Sequence, residues 1–237
     1  MNGIGAAVPS PRIPETEGVT GELTVQQYDA LMRRLRDKGY LDTNAILEAG
    51  ISAGDCLEIG PGPGYLGLEW LRKTAGTRLT GLDLSTDMLA VAKENARRYG
   101  VQDRVNYVEG RAQRMPFSSG RFDGVFSNGS LHEWTEPEAV FNEIDRILKP
   151  GGRFYISDLR RDMHPAIRWF LKLNIKPKER RVGFLSSVAA SYTPHEAESL
   201  LARTNLRNAQ VQRKRMVLVV TGVKDGAGQN PATGVLK

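Results

Sequence analysis

Apolar and polar positions divide the chain into three stretches of different rhythm. From Val25 to Lys38, Tyr28, Leu31, Met32 and Leu35 recur at helical spacing, and Gly39 stops the run. Leu41 to Glu48 reads as a second short helix, with Gly50 as its end. An alternation then begins. Asp55 to Ile59 reads as a short buried strand, Gly60 to Gly64 as a glycine-rich turn, and Tyr65 to Lys73 as a helix with Leu66 and Trp70 inward. Arg78 to Leu84 is a strand, and Ser85 to Tyr99 is a helix stopped by Gly100. Val105 to Val108 and Phe122 to Ser127 are further strands. Glu136 to Leu148 is a helix with Pro137 in its first turn, where helices tolerate it. Lys149 to Gly152 reads as a sharp loop before a fifth strand, Arg153 to Ser157.

Strands that alternate with helices build βαβ units, hence a parallel sheet covered on both faces with right-handed crossovers. After Asp158 the rhythm changes. Asp162 to Ile175 and Val182 to Ala190 look helical, and Thr193-Pro194-His195-Glu196 opens another helix with a capping box. Gln210 to Lys214 and Met216 to Gly222 then read as an antiparallel hairpin. The expected fold class is α/β: a doubly wound, Rossmann-like sheet, mostly parallel with an antiparallel last strand. Residues 1–24, with Pro9, Pro11 and Pro14, read as a loose arm and 225–237 as a loose tail. Residues 25–224 read as one domain, since no repeat or break in composition divides them.

Composition narrows the class. The chain has 237 residues, 40% of them apolar, and one of this size buries roughly 70–75% of its unfolded surface without a staple. A single cysteine, Cys56, excludes a disulfide scaffold and a Cys-rich zinc module, and fits a reducing cytoplasm. No stretch reaches the roughly 18 consecutive apolar residues of a membrane span, and Met1 to Gly21 lacks the pattern of a secretory leader. The 33 basic and 27 acidic residues leave +6, a mild excess compatible with an anionic substrate or RNA and diagnostic of neither. No His, Cys or carboxylate cluster has metal-ligand spacing, so no metal is expected.

The strongest chemical signal is Glu58-Ile59-Gly60-Pro61-Gly62-Pro63-Gly64, which follows a strand and precedes a helix. Glycines there let the backbone turn sharply and let a ligand approach the main chain, while the helix N-terminus offers free N–H groups. Read from Gly62, the spacing Gly62, Gly64, Gly67 matches the nicotinamide dinucleotide fingerprint. Against that reading, Pro63 sits inside the turn, and Glu58 and Gly60 are left unused. Asp83, about 20 residues on at the end of the second strand, suits a ribose diol in either cofactor class.

Later blocks discriminate. Val108-Glu109-Gly110-Arg111-Ala112, Phe122-Asp123-Gly124-Val125-Phe126-Ser127-Asn128 and Leu148-Lys149-Pro150-Gly151-Gly152 come in order after the glycine turn. Together with Glu58-x-Gly60-x-Gly62-x-Gly64, the stretch Asp55–Asp158 resembles the class I S-adenosylmethionine (SAM) methyltransferases, in the small-molecule branch that includes ubiquinone and menaquinone biosynthetic enzymes. The resemblance implies SAM as cofactor and S-adenosyl-L-homocysteine as product. It implies that Gly60, Gly62 and Gly64 pass close to the methionine part, and that Glu58 orients the loop or meets the cofactor's amino group. It puts the ribose on Asp83 and the adenine between Leu84 and Met88. Arg111 stands where the family usually has an acidic residue, which leaves the adenine to backbone near Arg111 and Ala112. Asn128 and Gly129 should lie under the methionine and the transferring methyl. Residues 25–38 and 160–192 should form helical lids.

Two residues are candidates for the chemistry itself. His132, in Ser130-Leu131-His132-Glu133-Trp134, either faces the substrate as base or polariser or ties down a loop. Asp158, at the end of the fifth strand, either contacts substrate or caps the next helix. The expected activity is methyl transfer by in-line displacement to a small molecule. The alternatives are an RNA or protein methyltransferase, suggested by the basic lid, and a non-catalytic SAM-binding protein. Ser127-Asn128-Gly129-Ser130 is not the Asn-Pro-Pro-aromatic motif of amino-methylating enzymes, and no nucleic-acid module is present, so nucleic acid is not the favoured partner. The acceptor and the oligomeric state leave no mark in the sequence.

Overall fold

Alternating side chains decide how the strands are covered. In β1 (Asp55–Ile59), Leu57 and Ile59 join one core cluster while Cys56 points to the other. In β5 (Leu148–Leu159), Phe154 and Ile156 join the first cluster and Tyr155 the second. A sheet that is apolar on both faces needs helices on both, as parallel sheets do. The computed structural model describes residues 11–15, 22–175, 180–206 and 208–226.

The other strands are β2 (Arg78–Asp83), β3 (Val105–Glu109), β4 (Phe122–Asn128), β6 (Gln210–Arg213) and β7 (Val217–Val223). They form a seven-stranded sheet in the order β3-β2-β1-β4-β5-β7-β6. All neighbours from β3 to β5 are parallel, and β7 runs antiparallel to both β5 and β6. The sheet is therefore doubly wound with an antiparallel last strand, as the pattern predicts. Helices α3 (Tyr65–Lys73) and α4 (Thr86–Tyr99) supply Trp70, Leu71, Leu89 and Ala92 to one core. Helices α5 (Pro137–Ile147) and α8 (Pro194–Leu201) supply Phe141, Ile144, Ala197 and Leu200 to the other. Both cores hold fully buried aromatics: Trp70 stacks tilted on Phe126, and Trp134 meets Phe141 edge-on.

Helices α1 (Glu22–Asp37) and α2 (Thr43–Glu48) precede the sheet, and α6 (Pro165–Asn174) and α7 (Arg180–Ala190) follow β5. In α6 the imidazole of His164 accepts the N–H of Ala166 as cap. The same helix leaves Trp169 and Phe170 largely exposed.

One expected element differs. Lys149–Gly152 is not a loop between helix and strand but part of β5, whose register with β4 shifts between Phe122 and Gly124. Hydrogen bonds from Gly151 N to Lys224 O (3.0 Å) and from Lys224 N to Gly152 O (2.8 Å) keep the segment extended. Gly151 takes a positive φ of 79° there, and a Cβ on Gly152 would lie 2.8 Å from Lys149 O. The Pro-Gly-Gly signal therefore marks an irregular strand, held by a partner 73 residues away in the chain, from Gly151 to Lys224. Of the expected arm and tail, residues 1–10, 16–21 and 227–237 lie outside the described residues.

Candidate active site

The order of strands reverses between β1 and β4, which is where open α/β sheets leave a crevice at their carboxyl edge. The turn after β1 and the turn after β4 meet there. Ser127 Oγ donates to Ile59 O at 2.7 Å and lies 2.5 Å from Ser130 Oγ. A Cβ on Gly60 would come within 2.9 Å of Ser130 Cβ.

Gly60, Gly62 and Gly64 all have positive φ, of 65°, 52° and 84°. A side chain would be strained at each, and each Cβ would strike a neighbour: Ser130, the ring of Tyr28, and the hydroxyl of Tyr107. The turn is closed by Gly60 N to Leu82 O (2.9 Å) and Gly64 N to Pro61 O (2.9 Å). Helix α3 starts at Gly64 with no side chain capping its N–H groups. Asp83 accepts from Gly62 N (3.1 Å) through Oδ2 and from Ser85 N (2.9 Å) through Oδ1. Burial raises its pKa, and the backbone donors Ser85, Gly62 and Leu84 work against that rise. A carboxylate has about four acceptor sites, so each oxygen keeps capacity for a hydroxyl. A bare backbone cradle, an uncapped helix start and a carboxylate with spare lone pairs fit the methionine and ribose parts of SAM.

Glu58 lies behind this cradle. Its carboxyl is 2% exposed and faces the start of α3, where a Cβ on Gly67 would collide with Oε2. Burial pushes its pKa up to about 8, opposed by the Gly67 N–H and helped by Asp83. Oε2 and the Tyr107 hydroxyl are both buried without hydrogen bonds. Glu58 supports the turn from below. On the far side of Asp83, Met88 is buried, Leu84 and Ala112 are half-buried, and Arg111 is exposed in a loop pinned by an Arg111–Arg114 bridge.

At the ends of β4 and β5 the surface is made of side chains. Asn128 Nδ2 donates to Asp42 Oδ2 (2.8 Å) and to Ser157 Oγ (2.7 Å), and Ser157 and Tyr155 also donate to Asp42. The amide of Asn128 thus fastens the loop before α2 to the sheet, while Gly129 turns the chain at φ 71°. His132 and Asp158 come together. His132 Nδ1 lies 3.0 Å from both oxygens of Asp158, which also accepts from His132 N (2.7 Å) and Leu159 N (2.7 Å). The imidazole is 6% exposed. Burial lowers its pKa, but Asp158, then Glu133 and Glu15, outweigh burial and raise it to about 9.

Helix α1 lies over the glycine turn. Tyr28 covers Gly62, and Asp29 accepts from Tyr65 (2.9 Å), Asn95 (3.2 Å) and Arg33. Asn95 also donates to Pro63 O at 2.9 Å. Tyr40 is 69% exposed. Residues 11–15, read in sequence as part of a loose arm, are instead bonded to the site: Arg12 donates to His132 O (2.9 Å) and Ala190 O (2.5 Å). Arg12, Glu15, Asp29, Asp42 and Asn95 carry no sequence signal, because each works through a contact distant in the chain.

A cleft of about 690 Å³ lined by Arg36, Glu69, Arg72, Lys73, Arg98 and Tyr99 lies elsewhere, near the last turns of α1, α3 and α4. Cations there complement helix C-termini. Among the described residues no group of three or more His, Cys, Asp or Glu could hold a metal ion. No helix among them is long and apolar enough to cross a membrane.

Residues 57–156 match the family model described as a methyltransferase domain. Over 112 residues the chain is 38% identical to erythromycin 3''-O-methyltransferase of Saccharopolyspora erythraea, covering 47% of this chain and 37% of that protein. Over 145 residues it is 30% identical to 2-phytyl-1,4-naphtoquinone methyltransferase of Nostoc, covering 59% and 63%. The chain therefore spans less than two thirds of either relative. A Methanococcus maripaludis structure assigned as an S-adenosyl-L-methionine-dependent methyltransferase superposes with a TM-score of 0.71 at 22% identity, over 90% of this chain and 97% of that one. The glycine cradle, Asp83 and the strand order lie within or beside the stretch, residues 57–156, that is similar to the methyltransferase domain.

Proposed function

We propose that the chain transfers a methyl group from SAM to a small-molecule acceptor, with His132 as general base and Asp158 as the residue that positions it. The observation that carries this reading is the juxtaposition of two things at one sheet edge. One is a backbone cradle beside Asp83, and the other is a buried imidazole bonded through Nδ1 to Asp158, which leaves Nε2 for the acceptor. When bound, SAM supplies a methyl on a sulfonium, already activated for in-line displacement. Gly60, Gly62 and Gly64 would hold the methionine part, Asp83 the ribose, and Leu84, Met88 and backbone near Arg111 and Ala112 the adenine. Asn128 and Gly129 shape the floor beside them. Alignment of this kind supplies roughly 7–11 kcal/mol of a two-substrate barrier. His132 takes a proton from the acceptor's nucleophile, and Asp158 fixes the tautomer and steadies the imidazolium that results. The similarity to an erythromycin 3''-O-methyltransferase and a 2-phytyl-1,4-naphtoquinone methyltransferase supports a small metabolite over RNA or protein. The lone cysteine, buried and pushed up to about 12, is compatible with action in the cytoplasm.

The deciding experiment is transfer of labelled methyl from SAM into a cell extract separated into metabolites, RNA and protein. Label in the metabolite fraction is expected, and label confined to RNA or protein overturns the substrate class. With the labelled acceptor identified, His132→Gln should lower kcat by about 10²–10⁴-fold. A base must be neutral to act, so kcat/KM should rise with pH toward the His132 value of about 9.

A further inference from the structure

Arg12, Ile13 and Glu15 form a short strap across the outer side of His132. Arg12 bolts it down, through Nε to Ala190 O (2.5 Å), through a terminal nitrogen to His132 O (2.9 Å), and with its guanidinium 4.3 Å from the ring centre of Tyr192. Ile13 N donates to Ala189 O at 3.1 Å. The strap brings Glu15 Oε2 to 3.6 Å from His132 Nε2. That oxygen is buried and makes no hydrogen bond. A carboxylate oxygen kept from water without a hydrogen bond is costly, even with the side chain 23% exposed, and here the nearby imidazole offsets part of that cost.

Asp158 occupies Nδ1, so Nε2 is the nitrogen through which His132 would meet an acceptor, and Glu15 stands on it. We propose that Glu15 is a positioning residue on the acceptor side of the site, holding the outer nitrogen of His132 until the acceptor's nucleophilic group displaces its carboxylate. This rests on the reading of His132 as base. It also narrows the acceptor. The groups facing the imidazole are Asp158 from β5, Glu133 from its own turn (Oε1 at 4.0 Å) and Glu15 from the strap, all acidic, with Arg12 on the backbone carbonyl. Asp158 and Glu133 stay beside the imidazole when Glu15 leaves and repel an anionic nucleophile, so the reacting group is a neutral hydroxyl or amine. Departure of Glu15 removes one of the charges that keep the proton on the ring, so the exchange itself readies the base.

Diethyl pyrocarbonate, which carbethoxylates neutral imidazole, tests this without an acceptor or turnover. The chain has three histidines, and His164 and His195 are exposed internal standards. Rates at each histidine are read by peptide mass spectrometry across pH. Removing one adjacent carboxylate shifts a pKa by about one unit, so Glu15→Gln should speed modification of His132 about tenfold below pH 8 and lower its pH midpoint. Glu15→Asp should restore part of the protection. Arg12→Ala should also speed it, by freeing the strap. His164 and His195 should keep their rates. Equal His132 rates in all four proteins overturn the proposal, and so does acceleration of all three histidines together, since the strap would then be holding the fold. A His132→Gln enzyme with unchanged kcat would instead overturn the base and leave the labelling result standing.

Discussion

At the ends of β1 and β2 the site is made of main chain, and at the ends of β4 and β5 it is made of side chains. The first half needs residues closer together in sequence: Gly62 and Asp83 are 21 apart, and Asn95 and Pro63 are 32 apart. The second half gathers its parts from across the chain. His132 and Asp158 are 26 apart, Asn128 and Asp42 are 86 apart, and Arg12 and His132 are 120 apart. A cofactor shared by many enzymes can be held by backbone, which every sequence has, provided glycines open the way. An acceptor particular to one enzyme needs side chains, and the fold is free to take them from anywhere.

The comparison breaks if the halves fail to separate in binding. Asp83→Ala should weaken SAM about 10²–10⁴-fold by calorimetry, from the loss of two charge-assisted hydrogen bonds worth roughly 1.5–3 kcal/mol each. His132→Ala should leave SAM affinity nearly unchanged. Equal losses would mean that the two halves are one site.

A smaller effect sharpens the cofactor half. Burial raises Glu58 from an ordinary 4.5 to about 8. The unfolded chain gives up this proton above about 4.5 and the folded chain keeps it to about 8. Stability is therefore lost as pH rises through that window, by about 1.4 kcal/mol per pH unit. Glu58→Gln removes that slope. Urea unfolding at pH 5 and pH 7 should show the variant gaining on the wild type at the higher pH, and parallel behaviour would mean that Glu58 is ionised in the fold.

The smallest effect belongs to α6. Trp169 is 64% exposed on α6, so Trp169→Ser should change unfolding free energy by less than about 0.5 kcal/mol. A larger loss would mean that α6 packs its aromatic face.

Much of the fold was legible because periodicity reports burial on a sheet or a helix. The strands, the helices of the βαβ units and the terminal hairpin follow from it. Lys149–Gly152 did not follow, because Pro and two glycines mark a loop locally and only the bonds to Lys224 make them strand. In the site, the glycine turn and Asp83 were legible because turn geometry demands glycine and the spacing is short. His132 and Asp158 were each visible as residues at strand ends, but their pairing is a property of adjacent strands β4 and β5. Arg12 and Glu15 were invisible, since a proline-spaced segment carries no period and reads as loose whether or not it docks.

The position of β7 has a consequence for the order in which the molecule can be made. This strand is translated after the other six, yet it sits inside the sheet between β5 and β6 and supplies Leu218 and Val220 to one core and Val219 to the other. Until it emerges from the ribosome, β5 is an open edge and β6 has no partner. The nascent chain can assemble the β1–β5 part and its crevice first, but it carries an open β5 edge from Leu159 until Val217 is made. The risk of mispairing is concentrated there, and the step that ends it is the insertion of a single strand between β5 and β6.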